Sequence, residues 1–194
     1  TPWRPKSDAR IERDIGIVSD GARSNLTQSG LSHAFWPFAA QHFCHSTNTT
    51  IPYNSGYPLA NMPPGSKTPW YTRFHSDWNG PSYPFGIEVH FKTPANFETL
   101  KFDAKTQPGI YLGVFLQPGC IFKGECIVTP LSDLSGRERS PRILRIRQEE
   151  VRFPEKDAFV FPVKAAKDNV QQLKLANAQM LEQFPKVIGL TGEN

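Results

Sequence analysis

Near the start of the chain, apolar residues recur every three or four positions, at Ile11, Ile15, Val18, Ala22 and Leu26. They draw one stripe along a helix from Asp8 to about Ser29. Gly30 supplies a stop and Ser32 a cap for a second helix, which runs to about Cys44 and carries Phe35, Trp36, Ala39, Ala40 and Phe43. Pro37 is tolerated only because it falls near that helix's start, where few N–H groups have partners within the helix. The pair makes a helical hairpin with one strongly apolar side, which needs a surface to pack against. From Ser46 to Ser82 periodicity vanishes among Pro, Gly, Asn, Ser and Thr, with aromatics scattered at Tyr53, Tyr57, Trp70, Tyr71 and Trp78. This stretch reads as a long surface connection with a few aromatic anchors, and as the boundary between two units.

After Tyr83 the period becomes two. Ile87, Val89 and Phe91 alternate with Glu88, His90 and Lys92, the pattern of a half-buried strand. Gly109 to Leu116 reads as a buried strand, bounded by the turns at Gln107-Pro108-Gly109 and Pro118-Gly119. Glu125 to Leu131 predicts another strand, and Arg142 to Phe153 one or two more. Short strands with tight turns over about seventy residues predict a small β-barrel. Helical spacing returns from Val163 to Phe184, where Pro185 ends it. The expected class is therefore α+β: a helical hairpin in 1–48, a linker in 49–82, a barrel in 83–153 and a helix-bearing extension in 154–194.

Composition changes this picture little. The 18 prolines are about twice ordinary usage (~5%), in keeping with long irregular connections. A net charge of +4 suits a polyanionic partner without demanding one. Cys44, Cys120 and Cys126 make an odd count without dense spacing, which argues against a disulfide framework and for an intracellular setting. No apolar run reaches the ~18 residues of a membrane span. His42, Cys44 and His45 invite a zinc reading, but their spacing is too tight for separated ligand pairs and no fourth ligand is apparent, so ordinary packing at a helix end is favoured. Trp36, Trp70 and Trp78 read as packing anchors. The densest basic cluster is Arg142, Arg145, Arg147 and Arg152, with Arg137 and Arg139 just before; alternation along a strand would make one face positive and able to meet phosphate.

Three blocks resemble the integrases of copia-type retrotransposons. The run Thr1-Pro2-Trp3-Arg4-Pro5-Lys6-Ser7-Asp8-Ala9-Arg10-Ile11-Glu12-Arg13 resembles that family's T-P-Y-x-P-x-x-N-x-x-x-E-R segment. Arg23, then Gly30-Leu31-Ser32-His33-Ala34-Phe35-Trp36-Pro37-Phe38-Ala39-Ala40, resembles the R-x-x-L-x-x-(S/A)-G-L-P-x-x-F-W-x-x-A segment that follows. Pro84-Phe85-Gly86-Ile87-Glu88-Val89, Lys101-Phe102-Asp103-Ala104-Lys105 and Pro108-Gly109-Ile110-Tyr111-Leu112-Gly113 are similar to F-G-x-x-V … K-(F/L)-D-P-K … (P/K)-G-I-F-L-G-Y. Order and spacing agree across roughly residues 1–131, whereas 132–194 have no counterpart. The departures are Asp8 and Ala9 for Asn and a small residue, Ser32 for Pro, and Val114 for Tyr.

The resemblance implies the last helices of an RNase H-like catalytic core, truncated, followed by an SH3-like barrel. In such enzymes Glu12 would be the third catalytic carboxylate and a ligand of Mg²⁺, since two metal ions ~3.5–4 Å apart activate the attacking hydroxyl and stabilise the leaving oxygen in strand transfer. The other two carboxylates are aspartates that precede this position, so a chain starting at Thr1, in mid-motif, reads as a fragment that is not catalytic alone. Asp8, one helical turn from Glu12, is better explained by capping and the helix dipole than as a replacement ligand. Arg4, Lys6, Arg10, Arg13 and Arg23 would face the DNA backbone, with Arg142, Arg145 and Arg147 as a second basic group; a solvated helix face is the alternative for the first. Implied partners are DNA, the rest of the Gag-Pol polyprotein and, left open, a second copy of the chain, with no membrane and a nuclear site of action. The competing readings are a non-catalytic nucleic-acid-binding module with an SH3-like domain, and a transposon relic without function.

Overall fold

The computed structural model describes residues 5–50, 68–94, 104–134, 140–156 and 158–183, with backbone alone at 5–8 and 176–183. Helix α1 spans Pro5–Ser29, so it begins three residues before the expected Asp8, with a proline in the first turn where its missing N–H costs nothing. Gly30 ends it with φ at +72° and its N–H on the Leu26 carbonyl at 2.9 Å. A 3₁₀ turn at His33–Phe35 leads into α2, Trp36–Thr50, which runs past the expected end at Cys44. Ser32 occupies the expected cap position, but its side chain makes no capping hydrogen bond. A short α3, Pro69–Phe74, is capped by Thr68, whose side chain accepts the Tyr71 N–H at 3.2 Å.

Five strands follow: β1 Glu88–Lys92, β2 Thr106–Gln117, β3 Ile121–Pro130, β4 Leu144–Arg147 and β5 Val151–Arg152. They form one antiparallel sheet in the order β4-β3-β2-β1-β5, with a 3₁₀ turn at Gln148–Glu150 between β4 and β5. The class is α+β as expected, with four α-helices among the described residues, but the expected closed barrel is an open sheet. Strands β4 and β5 are its two edges, and β5, two residues long, pairs with β1 alone among the described residues. A two-residue strand offers too short a ladder to close a barrel against β4. Helix α4, Pro162–Gln183, is the last element among the described residues.

Each sheet face carries its own apolar layer. On one, Ala22, Leu26, Leu31, Phe35 and Ala39 of the hairpin pack with Phe85, Ile110, Leu112 and Ile127. The sheet is the surface that the hairpin's apolar side required. On the other, Ile87, Val89, Phe91, Tyr111, Cys126, Val128, Ile146 and Val151 form a cluster flanked by Tyr83, Leu144, Phe153, Phe159 and Phe161. Strand β2 is therefore buried on both faces from Gly109 to Val114, which is why its sequence is continuously apolar. Its pairing with β3 shifts register between Tyr111 and Gly113 and between Val114 and Leu116, irregularities of the kind that bend a strand locally.

The seat between hairpin and sheet is tight. Ser29 is fully buried at the end of α1, and Gly86, with φ at +84°, passes directly over it. Only glycine fits there without strain. Among the described residues, no helix is long and apolar enough to cross a membrane.

Candidate nucleic-acid interface

Glu12 lies on the N-terminal half of α1, exposed between the exposed Arg10 and Arg13. This half stands off the core: Ile11 and Ile15 are 59% and 61% exposed, while Ala22 and Leu26 on the same stripe are buried. The sequence stripe is thus used only in its second half. Among the described residues, no three His, Cys, Asp or Glu side chains are grouped to hold a metal ion. Glu12 alone does not make a Mg²⁺ site, and no step can be routed through one here. Arg4 lies outside the described residues, as do the side chains of Lys6 and Asp8. Arg23 is exposed and paired with Asp20 one turn earlier.

The second basic group is divided by the topology. Arg142 precedes β4 and is tied to Asp133 by Nε and a terminal nitrogen, each at 2.7 Å, and by its backbone N–H at 3.0 Å. That fork holds the Asp133 carboxyl below its ordinary range, first through the side-chain hydrogen bonds. Arg145 and Arg147 project from the same side of β4, opposite to the buried Ile146. The Arg145 guanidinium stacks over the Phe115 ring, its central carbon 3.8 Å from the ring centroid, which fixes one face of the head group. Arg147 faces Glu125 in register and sits 3.7 Å from Glu149. Its neighbourhood, a groove lined also by Lys123, is close to electrically balanced. Arg152 is on β5, at the far edge of the sheet, opposite His90. The single positive face expected from alternation therefore reduces to Arg145 and Arg147, and Arg137 and Arg139 lie outside the described residues.

His42 and His45 pack rather than converge. The buried His42 ring donates from Nε2 to the Tyr83 carbonyl at 2.9 Å, bridging α2 to the start of the sheet, and burial lowers its pKa. His45 is held edge-on by Trp70 at 5.9 Å and Trp78 at 4.5 Å, and burial, then the nearby His42, push it down to about 4. Burial raises the Cys44 thiol. The Trp70 and Trp78 rings lie 4.8 Å apart, and Trp78 reaches Phe122 of β3 at the same distance, so these two are the anchors expected, whereas Trp36, expected as a third, is 61% exposed. Sequence reasoning passed over Arg73 on α3, whose guanidinium lies 5.2 Å from the Phe74 ring centroid and 3.9 Å from the Cys120 sulfur. A lone arginine in a stretch without periodicity carries no signal of such a placement.

Comparison with known proteins returns no significant match, whether to protein-family models, to curated proteins or to solved structures.

Proposed function

We propose that this chain is a piece of a copia-type retrotransposon integrase that contacts nucleic-acid backbone and does not catalyse strand transfer by itself. The observation that supports it is where the second and third resembling blocks meet. Leu31, Phe35 and Ala39 come from the second block and Phe85, Ile110 and Leu112 from the third, and all share one core. Residues spaced across some eighty positions thus recur in the family's order and pack on one another. The strand order, with a 3₁₀ turn before a short last strand that returns to β1, is compatible with an SH3-like domain that has not closed. The exposed Glu12 and the uncovered Ile11 and Ile15 suit a helix whose partner strands belong to a larger catalytic core.

Arg145 is the group best prepared for phosphate, since Phe115 orients its guanidinium and no carboxylate stands opposite it in register. Binding of a mixed-sequence duplex at several salt concentrations tests the reading. Replacing Arg145 by glutamine should lower the slope of log K against log salt by about 0.9, the value for one phosphate contact. Arg142→Gln should change it less, because Asp133 already occupies that guanidinium. Absent or salt-independent binding ends the proposal, as does a reading frame upstream of Thr1 that encodes no pair of strand-borne aspartates.

A further inference from the structure

A cavity of 740 Å³ lies between α2, α3 and the β2–β3 turn, outside the basic groups above. Its volume is in the range of small-molecule sites, which combine an apolar lining with a few convergent polar groups. Trp70, Phe74, Leu116 and Pro118 supply apolar surface. Gln41, Asn48 and Gln117 supply three carboxamides, each with both donor and acceptor capacity. Arg73 is the one charged group among the lining residues, none of which is a carboxylate. His45 also lines the cavity, and its buried Nε2 has no hydrogen-bond partner among the described residues.

We propose that this cavity binds one nucleotide unit, its base against the aromatic and carboxamide lining and its phosphate on Arg73; the proposal rests on the nucleic-acid reading above. An aromatic ring accepts the π-face of any base, and carboxamides match the mixed donors and acceptors of a base edge. The exposed guanidinium suits the phosphate, to which it can present two parallel N–H donors. The His45 ring, with its pKa near 4, adds no charge to the cavity wall at neutral pH. The nucleotide could be free or part of a single strand, since both present the same groups.

Titration of the full chain with dAMP, followed by tryptophan fluorescence and calorimetry, tests this. Saturable binding of dAMP is expected, with inorganic phosphate alone producing none. Arg73→Gln should weaken dAMP roughly tenfold, the worth of a charge-assisted contact, and leave deoxyadenosine unchanged. Arg73 is exposed, so the fold should survive, and Gln117→Ala provides a second variant that should weaken deoxyadenosine as well. A short oligo(dA) that displaces dAMP places the nucleotide in a strand; dAMP binding that the oligomer does not displace places it free. No saturation by about 1 mM dAMP, or phosphate binding as tightly as dAMP, overturns the proposal. Duplex binding that persists without dAMP binding rejects the cavity alone, whereas dAMP binding without duplex binding rejects the interface reading alone.

Discussion

Replacing Gly86 by alanine probes the seat on which the hairpin rests. Gly86 has φ at +84° and donates its N–H to the Tyr111 carbonyl at 2.8 Å, so the backbone cannot rotate away without breaking a hydrogen bond. A Cβ there would stand 2.1 Å from the Cβ of Ser29. Ser29 cannot retreat easily: it is fully buried, and its Oγ donates to the Leu26 carbonyl at 3.2 Å and accepts the Leu31 N–H at 3.3 Å. Two costs add. The left-handed backbone costs a residue with a Cβ roughly 1–2 kcal/mol, and forcing an extra carbon into a packed site typically costs about 1–3 kcal/mol. The expected loss is about 2–5 kcal/mol, or roughly 5–15 °C in midpoint for a chain of this size. Urea unfolding followed by circular dichroism, with parallel thermal scans, measures it. Ser29→Gly removes the atom that the new methyl meets, so in the double variant the overpacking share should be relieved while the backbone share remains. A Gly86→Ala protein within about 0.5 kcal/mol of the parent would refute the reasoning. So would a double variant no better than the sum of the singles.

Gly16 is the contrasting glycine. It lies in the exposed half of α1 with nothing near the place of a Cβ, so Gly16→Ala should stabilise the chain by about 0.5–1 kcal/mol in the same assay. His45 should make stability depend on pH. Its folded pKa, about 4, lies below the ordinary 6.5, so the unfolded chain binds more protons between these values; stability is full above about 6.5 and falls as pH drops toward 4. The buried His42, also lowered, adds to that slope, and His45→Phe should flatten it without abolishing it. The Cys126 thiol is fully buried and pushed up to about 12, so it should resist a thiol reagent in the native protein while the partly exposed Cys120 reacts. Equal rates at the two, read by mass spectrometry, would contradict the burial.

Much of the secondary structure was legible because its signals are local. The spacing from Ile11 to Leu26 marked α1 to within three residues of its start, and Gly30 its end, since helical period and a left-handed stop are properties of a few consecutive residues. Alternation in β1 correctly assigned Val89 and Phe91 to the interior and His90 to solvent. The unbroken apolar run of β2 correctly indicated a buried strand. The extent of α2 beyond Cys44 was missed because Ser46, Thr47, Thr49 and Thr50 favour other conformations; Thr49 and Thr50 return their hydroxyls to carbonyls a turn earlier.

Apart from α3 and the last turn of α2, what the sequence by itself determined are the features that neighbouring residues settle among themselves: which segments are helix or strand, which of their faces are apolar, and where glycine must stand. Only the tertiary structure decided that the sheet stays open, that Arg152 sits at the opposite edge from Arg145 and Arg147, that half of α1's apolar stripe is left uncovered, and that Arg73 and His45 line one cavity. These depend on which strands pair and how long each ladder runs. Such pairings join residues scores of positions apart, and their free energy comes from burial and hydrogen bonds that no local window contains.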